Sequence, residues 1–390
     1  MKVLMLVMSD VAHDSRVLRE AVALAEQGHA IHVVGKDVPP GWVPPHGVTV
    51  ESVSGGSGLK PGGDGGPSRG RLRSTARWLL LPRHRQRVWG TWCARAGAAV
   101  RGREFEVVHA HDFNVLRLAA GLADGAGARL VYDSHEWWSG RERHGRPTPL
   151  ERARERRIER RLVRRADAVL TVSGGIAERL GRWRGTKVLV VRNTFPAGVG
   201  GAVPVPERPS GVVYAGRIGA ARDLETLLPA AAAARLETCL MGKVDREYLH
   251  RIRVTVGSVR IEPARPVDEV DDVLRRGGIS VVTLTDSCEN HRLALPNKLF
   301  HAVRAGVPVV AADLPEMRRM VTEYGLGELY RSGDAESMRA ALESVAQDYP
   351  RWCKQVAQAR DELNWERDAA VLVGVYATLA GRDALPVSAL

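Results

Sequence analysis

Residues 295–311 read LPNKLFHAVRAGVPVVA, and this stretch decides the fold. Pro296 suits the first turn of a helix, where its missing N–H costs nothing. Gly306 is placed to end that helix, and the apolar run Val307–Ala311 predicts a buried strand. The segment is therefore a helix that leads directly into a strand, which is the repeating unit of a parallel sheet covered by helices.

The same alternation of short apolar runs and helical patterns extends along the chain in both directions. In the first half the runs predict strands at Val3–Met8, Ala30–Gly35, Val48–Val53, Val107–Ala110, Leu130–Asp133, Val169–Val172 and Val188–Arg192. In the second half they predict strands at Val212–Ala215, Thr238–Met241, Val259–Glu262, Ile279–Leu284, Val307–Ala311 and Leu329–Tyr330. Such alternation predicts parallel sheets with helices on both faces.

The length of 390 residues is too great for one ordinary core. The pattern breaks at residues 195–210, which contain four prolines and three glycines, and it then restarts. We therefore expect an α/β domain over residues 1–194, a linker over 195–210 and a second α/β domain over 211–364. A final helix is expected over 365–380.

The composition is that of a globular protein, with 44% apolar and 26% charged residues. It argues against a disordered chain, a fibre or a membrane bundle. The apolar run at the N-terminus is too short for a signal peptide, and the four cysteines are too far apart for a disulfide framework or a zinc site. We expect a cytoplasmic protein, at most peripheral on the inner face of a membrane.

Positive charge is concentrated in the first half of the chain. Residues 1–210 hold 34 Lys and Arg against 20 Asp and Glu, whereas residues 211–390 hold 23 against 25. Residues 69–103 contain ten arginines and no acidic residue. This segment predicts a basic helix over 71–103, preceded by a mobile glycine-rich loop over 55–70.

Two interpretations of the basic helix stay open. A Trp78–Leu81 patch among arginines suits an anionic membrane surface, and a solvated basic helix with a buried apolar stripe is the alternative. A second basic helix is expected over 151–165, where pairs such as Glu159 and Arg160 neutralise part of its charge. No aromatic stacking platform accompanies these arginines, so a nucleic-acid partner is not expected.

Two arginines follow the strand that ends at Ala215. Arg217 and Arg222 precede a helix start, and guanidinium groups there form a site for a diphosphate. The free N–H groups of Asn297, Lys298 and Leu299 at the next helix start make a second anion cradle, to which Lys298 adds a charge. The alternative is that both arginines are ordinary surface residues.

Several motifs together resemble the retaining glycosyltransferases of family 4, which have the GT-B fold. Besides 295–311 they are DSRVLREA at 14–21, VVHAHD at 107–112, VYDSHE at 131–136, ADAVLTVS at 166–173 and WERD at 365–368 with Tyr376. The resemblance implies two Rossmann-like domains facing across a cleft, with the nucleotide-sugar donor mainly in the C-terminal domain and the acceptor in the N-terminal one. It implies that the final helix, over 365–380, crosses back to the N-terminal domain, and it implies transfer of a sugar to an acceptor hydroxyl with retention of configuration.

The resemblance also implies roles for single residues. Arg217 and Arg222, with the amides of Asn297, Lys298 and Leu299, hold the diphosphate. His135 hydrogen-bonds the donor sugar near the reacting carbon, unless it is only tied to Asp133 or Glu136. The acceptor-side residues are Asp10, Asp14, Arg16 and His111, of which His111 has packing as its alternative role.

No metal or cofactor is expected, because fixed cations replace a metal at the diphosphate. Glu269 and Asp271 only mimic an acidic metal motif, at the start of an acidic helix.

This sequence departs from the family at its usual pair of glutamates, which touch the donor sugar and the ribose. Leu293 and His301 stand in those places. A histidine still hydrogen-bonds a ribose hydroxyl, whereas a leucine holds no sugar hydroxyl. We expect Glu289, Asn290 or His291 to supply the missing polar contact, with an exposed polar loop as the alternative.

The acceptor and the activity are each open to more than one hypothesis. The leading hypothesis is a hexosyltransferase with a lipid-linked or cell-surface polysaccharide precursor as acceptor. The alternatives are a natural-product glycosyltransferase with a small soluble acceptor, a degenerate subunit that binds sugar nucleotides without catalysis, and an epimerase or hydrolase on the same fold.

Overall fold

A computed structural model describes residues 1–55, 87–142, 149–197, 203–253 and 259–381. The described residues form two compact units. The first comprises residues 1–171, 176–190 and 371 to the end, and the second comprises residues 172–175 and 191–370. Most of the glycine-rich loop, together with Trp78–Leu81 and the arginines at 73, 77, 83 and 85, lies outside the described residues.

The first unit contains a parallel sheet of seven strands in the order β3-β2-β1-β4-β5-β6-β7. The strands are β1 Lys2–Leu6, β2 Ala30–Lys36, β3 Val48–Val53, β4 Val107–His111, β5 Arg129–Ser134, β6 Ala168–Thr171 and β7 Leu189–Val190. The helices are α1 Ser15–Glu26, α2 at residues 87–99, α3 Phe113–Ala126, α4 Pro149–Arg165 and α5 Gly174–Arg184, with short 3-10 turns at Val11–His13 and Trp138–Gly140.

The second unit contains a parallel sheet of six strands in the order β10-β9-β8-β11-β12-β13. The strands are β8 Gly211–Ala215, β9 Glu237–Met241, β10 Arg260–Glu262, β11 Gly278–Val282, β12 Val309–Ala312 and β13 Gly327–Tyr330. The helices are α6 Leu224–Ala233, α7 Arg246–Arg253, α8 Val267–Gly277, α9 Glu289–Leu293, α10 Asn297–Ala305, α11 Pro315–Tyr324, α12 Ala335–Gln347 and α13 Tyr349–Ala359. The last helix, α14 Trp365–Leu379, begins in the second unit and belongs to the first unit from residue 371.

The apolar pattern explains the sheets. Every residue of the central strands β4 and β11 is buried, as expected for parallel strands covered on both faces. The quoted segment 295–311 folds as predicted. Pro296 caps α10, and Gly306 ends it with φ +75°, a conformation that glycine adopts at little cost. The predicted fold class, two parallel-sheet α/β domains, is confirmed.

The structure shortens some predicted elements. The strand expected at Val188–Arg192 is only Leu189–Val190, which pairs with β6 at the sheet edge. In the described part of the basic segment 71–103, the helix spans residues 87–99. Among the described residues, none of the helices is long and apolar enough to cross a bilayer.

Candidate functional site

In each sheet the strand order reverses next to a central strand, and ligands of open α/β sheets bind at the carboxyl ends of the strands flanking that point. In the second sheet the reversal lies between β8 and β11. Arg217 and Arg222 follow β8, and the segment from Glu289 to Lys298 follows β11. The predicted donor residues are therefore collected at one edge of this sheet.

Lys298 is the best-defined cation at this edge. Its Nζ lies 4.5 Å from the centre of the Tyr214 ring, a distance at which an ammonium is attracted to the ring face. Burial and the nearby positive charge of Arg222 lower the pKa of Lys298 to about 7. Within the described residues, neither Lys298 nor Arg222 forms an ion pair with a carboxylate. Two adjacent cations without counter-charge are suited to an anion.

The loop that carries Arg222 is fixed by hydrogen bonds to the next residue, Asp223. Ala221 and Asp223 adopt positive φ values of 61° and 55°, which non-glycine residues rarely do. The buried Asp223 carboxylate accepts hydrogen bonds from the Tyr330 hydroxyl at 2.8 Å and the Thr226 hydroxyl at 2.6 Å. It also accepts from the Gly333 amide at 3.2 Å. These bonds fix the backbone beside Arg222, so the guanidinium starts from a defined position.

The amides at the start of α10 differ from the prediction in one respect. The Leu299 N–H donates to the Pro296 carbonyl at 3.0 Å, and the Leu299 side chain is fully buried. The Leu299 N–H is therefore not free as predicted, whereas its contact with a diphosphate stays a prediction. Asn297 and Lys298 occupy the first-turn positions, whose amides have no acceptor within the helix. Arg217 lies exposed on the loop after β8.

The polar segment Glu289–His291 is brought to the same edge. The Thr285 hydroxyl donates to the Ala221 carbonyl at 3.4 Å, which ties this segment to the loop of Arg222. His291 Nδ1 lies 2.8 Å from the Thr285 carbonyl oxygen. Glu289 is exposed and Asn290 is half-buried. Their contact with a donor sugar stays a prediction.

The two family positions that lack glutamate have different surroundings. Leu293 is buried, with 7% of its surface exposed. His301 lies one turn after Lys298 on α10, and its ring packs 4.2 Å from the ring of Phe195. The half-buried His301 is therefore the nearer to solvent of the two.

In the first sheet the reversal lies between β1 and β4, and a buried polar network occupies it. Arg16 donates from Nε to Asp133 Oδ2 at 2.8 Å and from Nη2 to Oδ1 at 2.9 Å. Its Nε also lies 3.0 Å from Glu20 Oε1. Arg16 is only 4% exposed, so most of its surface is already committed to these two carboxylates.

Three histidines extend the network. His109 and His111 stack with ring centres 4.3 Å apart, and His109 Nδ1 lies 3.0 Å from the Tyr376 hydroxyl. His111 Nδ1 lies 3.3 Å from His135 Nε2. His109 and His111 are fully buried, whereas 18% of the His135 side chain is exposed. His135 is therefore the histidine of this network that a ligand can reach.

Burial and charge set the protonation of the network. Burial raises the pKa of Glu20 to about 7, although Arg16 opposes the shift. Burial holds the pKa of His109 well below its usual range, with His111 acting in the same direction. Burial would raise the pKa of Asp133, but Arg16 and His135 outweigh it and hold that pKa well below its usual range. Asp133 is thus the permanent negative charge beside His135.

Asp10 and Asp14 shape the loop between β1 and α1. The Asp10 carboxylate accepts from the Ala12 amide at 3.0 Å. The Asp14 carboxylate caps α1 by accepting from the Val17 amide at 3.3 Å and also accepts from the Ser9 hydroxyl at 2.6 Å. Both are partly exposed, so these bonds hold the loop while the roles of Asp10 and Asp14 toward an acceptor stay predictions.

Four side chains of the network have ligand atoms within 4.8 Å of one another, namely Glu20, His109, His111 and Asp133. The Arg16 guanidinium touches both carboxylates of this set and supplies positive charge there. Asp271, in the acidic segment that mimics a metal motif, is buried with its Oδ2 2.8 Å from Arg304 Nε. That carboxylate serves the packing of α8 on α10.

The sequence did not single out Glu20 as a site residue, and it predicted no contact between Asp112 and His135. Glu20 stands four residues after Arg16, a spacing that also describes an exposed pair on a helix. Asp112 has φ +70°, which a sequence does not reveal, and its carboxylate accepts from the His135 amide at 3.0 Å. The one available signal was that Arg16 and Glu20 lie on the apolar face of α1 with Val17 and Leu24.

The prediction that acidic residues neutralise part of the charge of the second basic helix is wrong for Glu159. Glu159 is buried beneath α4, where it accepts from the Tyr132 hydroxyl at 2.8 Å. Burial raises the pKa of Glu159 to about 8. Because Glu159 faces inward, it does not offset the exposed Arg160.

Two family models match this chain in succession. A glycosyl transferase 4-like domain matches residues 13–194, and a glycosyl transferases group 1 domain matches residues 209–348. The matched ranges contain the buried network and the Arg222–Lys298 edge, respectively.

Curated relatives are distant. The phosphatidyl-myo-inositol mannosyltransferase of Mycolicibacterium smegmatis is 34% identical over 21% of this chain and 22% of its own length. The alignment therefore spans well under two thirds of that relative. The D-inositol 3-phosphate glycosyltransferase of Stackebrandtia nassauensis is 25% identical over 95% of this chain and 87% of its own length.

Solved structures share the fold over almost the whole chain. Sucrose-phosphate synthase from Thermosynechococcus elongatus has a TM-score of 0.72 at 15% identity, covering 98% of this chain and 99% of its own. Anabaena HepE in complex with UDP-glucose has a TM-score of 0.67 at 15% identity, covering 98% and 100%.

The order of the two matched domains and the likeness of both sheets to these structures lead to one conclusion. The chain belongs to the GT-B glycosyltransferases of family 4.

Proposed function

We propose that the protein transfers a hexosyl group from a nucleoside-diphosphate sugar to an acceptor hydroxyl with retention of the anomeric configuration. The observation that carries this proposal is the pair of cations Arg222 and Lys298. They lie at the reversal point of the second sheet without a carboxylate partner in the described part of the chain. A diphosphate supplies the negative charge that this pair lacks.

The chemistry fits such a pair. In the transfer the bond from the anomeric carbon to the diphosphate oxygen breaks, the bond to the acceptor oxygen forms, and the acceptor loses its hydroxyl proton. Negative charge develops on the departing diphosphate, and preorganised cations stabilise it more in the transition state than in the ground state. Lys298, whose pKa is lowered to about 7 by burial and Arg222, regains full charge when the diphosphate arrives.

A nucleotide-sugar donor is supported by HepE, whose structure holds UDP-glucose. This likeness concerns the fold, so base and sugar are left to the experiment below. His135, the reachable histidine of the first domain, is the proposed contact to the donor sugar.

For the acceptor we favour an anionic, lipid-linked or polysaccharide-precursor molecule at the inner face of a membrane. The support is electrostatic. Arg152, Arg157, Arg160 and Arg161 are exposed on α4, and Glu159 is turned inward. The two curated relatives are named for inositol lipid and inositol phosphate acceptors, both anionic. A surface of this kind attracts anionic acceptors and anionic lipids.

A second candidate is a subunit that binds sugar nucleotides without transferring the sugar. One observation favours it: Leu293 and His301 stand where relatives carry glutamates, and Leu293 is buried and apolar. Such a subunit binds the diphosphate at Arg222 and Lys298 but releases no nucleotide.

The test is a turnover assay with a panel of UDP-, GDP-, ADP-, dTDP- and CDP-sugars and a membrane lipid extract as acceptor. We expect one donor to yield free nucleotide and a glycosylated product, with the anomeric configuration read by NMR. The matched variants are Arg222→Ala and, as control, Lys243→Ala, an exposed cation of the same domain. Nucleotide release without an acceptor points to hydrolysis, and conversion of the donor to another nucleotide sugar points to epimerisation. Binding without release supports the second candidate.

A further inference from the structure

His135 stands between two carboxylates, one at each ring nitrogen. Its Nε2 lies 2.9 Å from Asp133 Oδ2, and its Nδ1 lies 3.5 Å from Asp112 Oδ2. A ring nitrogen that carries a lone pair repels a carboxylate oxygen, whereas an N–H is attracted to it. Both contacts therefore favour a hydrogen on the nitrogen.

We infer that Asp112 and Asp133 hold His135 doubly protonated, so that in the transfer it acts as an imidazolium that donates hydrogen bonds and not as a base. The inference rests on the proposed function for the reaction, while the charge of the ring is a property of the unliganded protein. Asp112 and Asp133 are then positioning residues, since they act through His135.

Asp112 is placed for this task by an unusual backbone. It follows β4 with φ +70° and ψ 163°, a strained conformation that residues with a side chain rarely adopt. Its amide donates to the Asp133 carbonyl at 2.8 Å, and its carboxylate accepts from the His135 amide at 3.0 Å. The strained turn thus brings both carboxylates to the same imidazole.

Asp133 is fixed by Arg16 on α1. The bidentate Arg16 guanidinium on α1 keeps it ionised and immobile. His111 Nδ1 lies 3.4 Å from the same Asp133 oxygen that faces His135. Asp133 therefore presents a permanent negative charge to Nε2.

His111 on β4 also faces the ring, with its Nδ1 3.3 Å from His135 Nε2, and the other facing groups leave the balance intact. Glu20 on α1 contributes a weak negative charge, because burial raises its pKa to about 7. Arg16 opposes protonation of His135 but is paired with Asp133. Glu136, next in the chain, is paired with Arg141. Burial favours the neutral ring, yet Asp112 and Asp133 outweigh it and raise the pKa of His135 to about 9.

A doubly protonated ring has a chemical consequence. It has no lone pair to take the proton of the acceptor hydroxyl, so that proton has to leave with another group. The departing diphosphate oxygen is the base that the reaction itself supplies. The bond from the anomeric carbon to that oxygen breaks, the bond to the acceptor oxygen forms, and the acceptor proton ends on the diphosphate. His135 contributes hydrogen bonds and positive charge.

The test measures the protonation of the His135 ring directly, in the unliganded, full-length protein labelled with ¹⁵N-histidine. A two-bond ¹H–¹⁵N spectrum reports the protonation of each of the 12 histidines, and His135→Gln identifies the signal of His135. We expect both nitrogens of His135 to be protonated at pH 7.5 and to titrate only above about pH 8.5. An unprotonated nitrogen at pH 7.5 overturns the inference.

Two variants separate positioning from structural support. Asp112→Asn tolerates the positive φ and should lower the midpoint of the His135 titration by at least about one pH unit, as should Asp133→Asn. Asp124→Asn, an exposed aspartate of the same domain paired with Arg165, is the matched control and should leave it unchanged. If Asp133→Asn does not fold, the half-exposed Asp112 still decides the question. An unchanged midpoint in Asp112→Asn contradicts the inference.

The pH dependence of turnover gives a second readout. If the protein is a transferase, turnover should fall on the alkaline side, near pH 9, and Asp112→Asn should move that fall to lower pH. A fall near pH 6–7 on the acid side that His135→Gln removes would show a base and overturn the inference. If no donor is turned over, the proposed function fails while the spectrum still reports the ring.

Discussion

Lys298 lies over the face of Tyr214, with its Nζ 4.5 Å from the ring centre. The Tyr214 hydroxyl donates to the Arg217 carbonyl at 2.8 Å, so the same ring also fixes the start of the loop between β8 and α6. The ring thus joins the lysine of α10 to the loop that carries both arginines. The tyrosine ring brings no negative charge to Lys298, so the counter-charge has to come from a ligand.

Donor affinity should therefore depend on pH. Burial and Arg222 lower the pKa of Lys298 to about 7, and a bound diphosphate raises it again, so binding takes up a proton. Affinity for a nucleotide sugar should be full below pH 7 and fall by up to about tenfold per pH unit above it. Titration calorimetry between pH 6.5 and 8.5 measures this, with Lys298→Ala flat and Lys243→Ala unchanged. A flat profile in the wild type contradicts the role of Lys298.

Asp223 should be important for stability as well as binding. Asp223→Ala leaves the Tyr330 hydroxyl and the Gly333 amide without their acceptor and places alanine at φ 55°. We expect a loss of about 3 kcal/mol in the free energy of unfolding, measured by urea denaturation. Glu336→Ala, at an exposed pair with Arg339, should change it by less than about 0.5 kcal/mol. Equal losses in both variants would refute the role given to Asp223.

Glu20 should make stability depend on pH. Burial raises its folded pKa to about 7, above its ordinary value of 4.5, so the folded protein binds the proton more tightly than the unfolded chain. The contribution of Glu20 is then full below pH 4.5 and declines as the pH rises to about 7. Relative to the wild type, Glu20→Gln should gain stability over this interval. Urea denaturation at pH 4.5 and 8 gives the difference in the free energy of unfolding between Glu20→Gln and the wild type. The same difference at both pH values would exclude this role of Glu20.

The exposed arginines of α4 should govern binding to anionic membranes. Changing Arg152, Arg157, Arg160 and Arg161 together to Gln removes about 1 kcal/mol per charge, or roughly a thousandfold in affinity. Co-sedimentation with phosphatidylglycerol vesicles at low salt measures it. The matched control changes Arg318, Arg331, Arg339 and Arg351, which are paired with acids in the second domain. Binding that survives the α4 changes would exclude this surface.

The fold could be predicted because most strands and helices can be recognised from their own local sequence. The runs of β4, β8 and β11 are mostly apolar, and Pro296 and Gly306 mark the ends of α10. The length of β7 could not, since the apolar run Val188–Arg192 does not show that only two of its residues pair with β6.

The donor side was more predictable than the network of the first domain. Arg222 and Lys298 follow strands that any parallel sheet of this order places side by side. Glu20, and the contact of Asp112 with His135, were missed because they depend on which face of α1 is buried and on one positive φ. The engagement of the Leu299 N–H was missed for the same reason, since it depends on a single hydrogen bond to Pro296.

The central claim is that Arg222 and Lys298 bind the diphosphate of a nucleotide sugar. The most direct measurement is calorimetric titration of UDP, GDP, ADP, dTDP and CDP into the wild type, Arg222→Ala and the control Lys243→Ala. We predict that one nucleotide binds the wild type and the control equally, and binds Arg222→Ala at least about tenfold more weakly. Binding of no nucleotide, or equal binding to all three proteins, would contradict the claim.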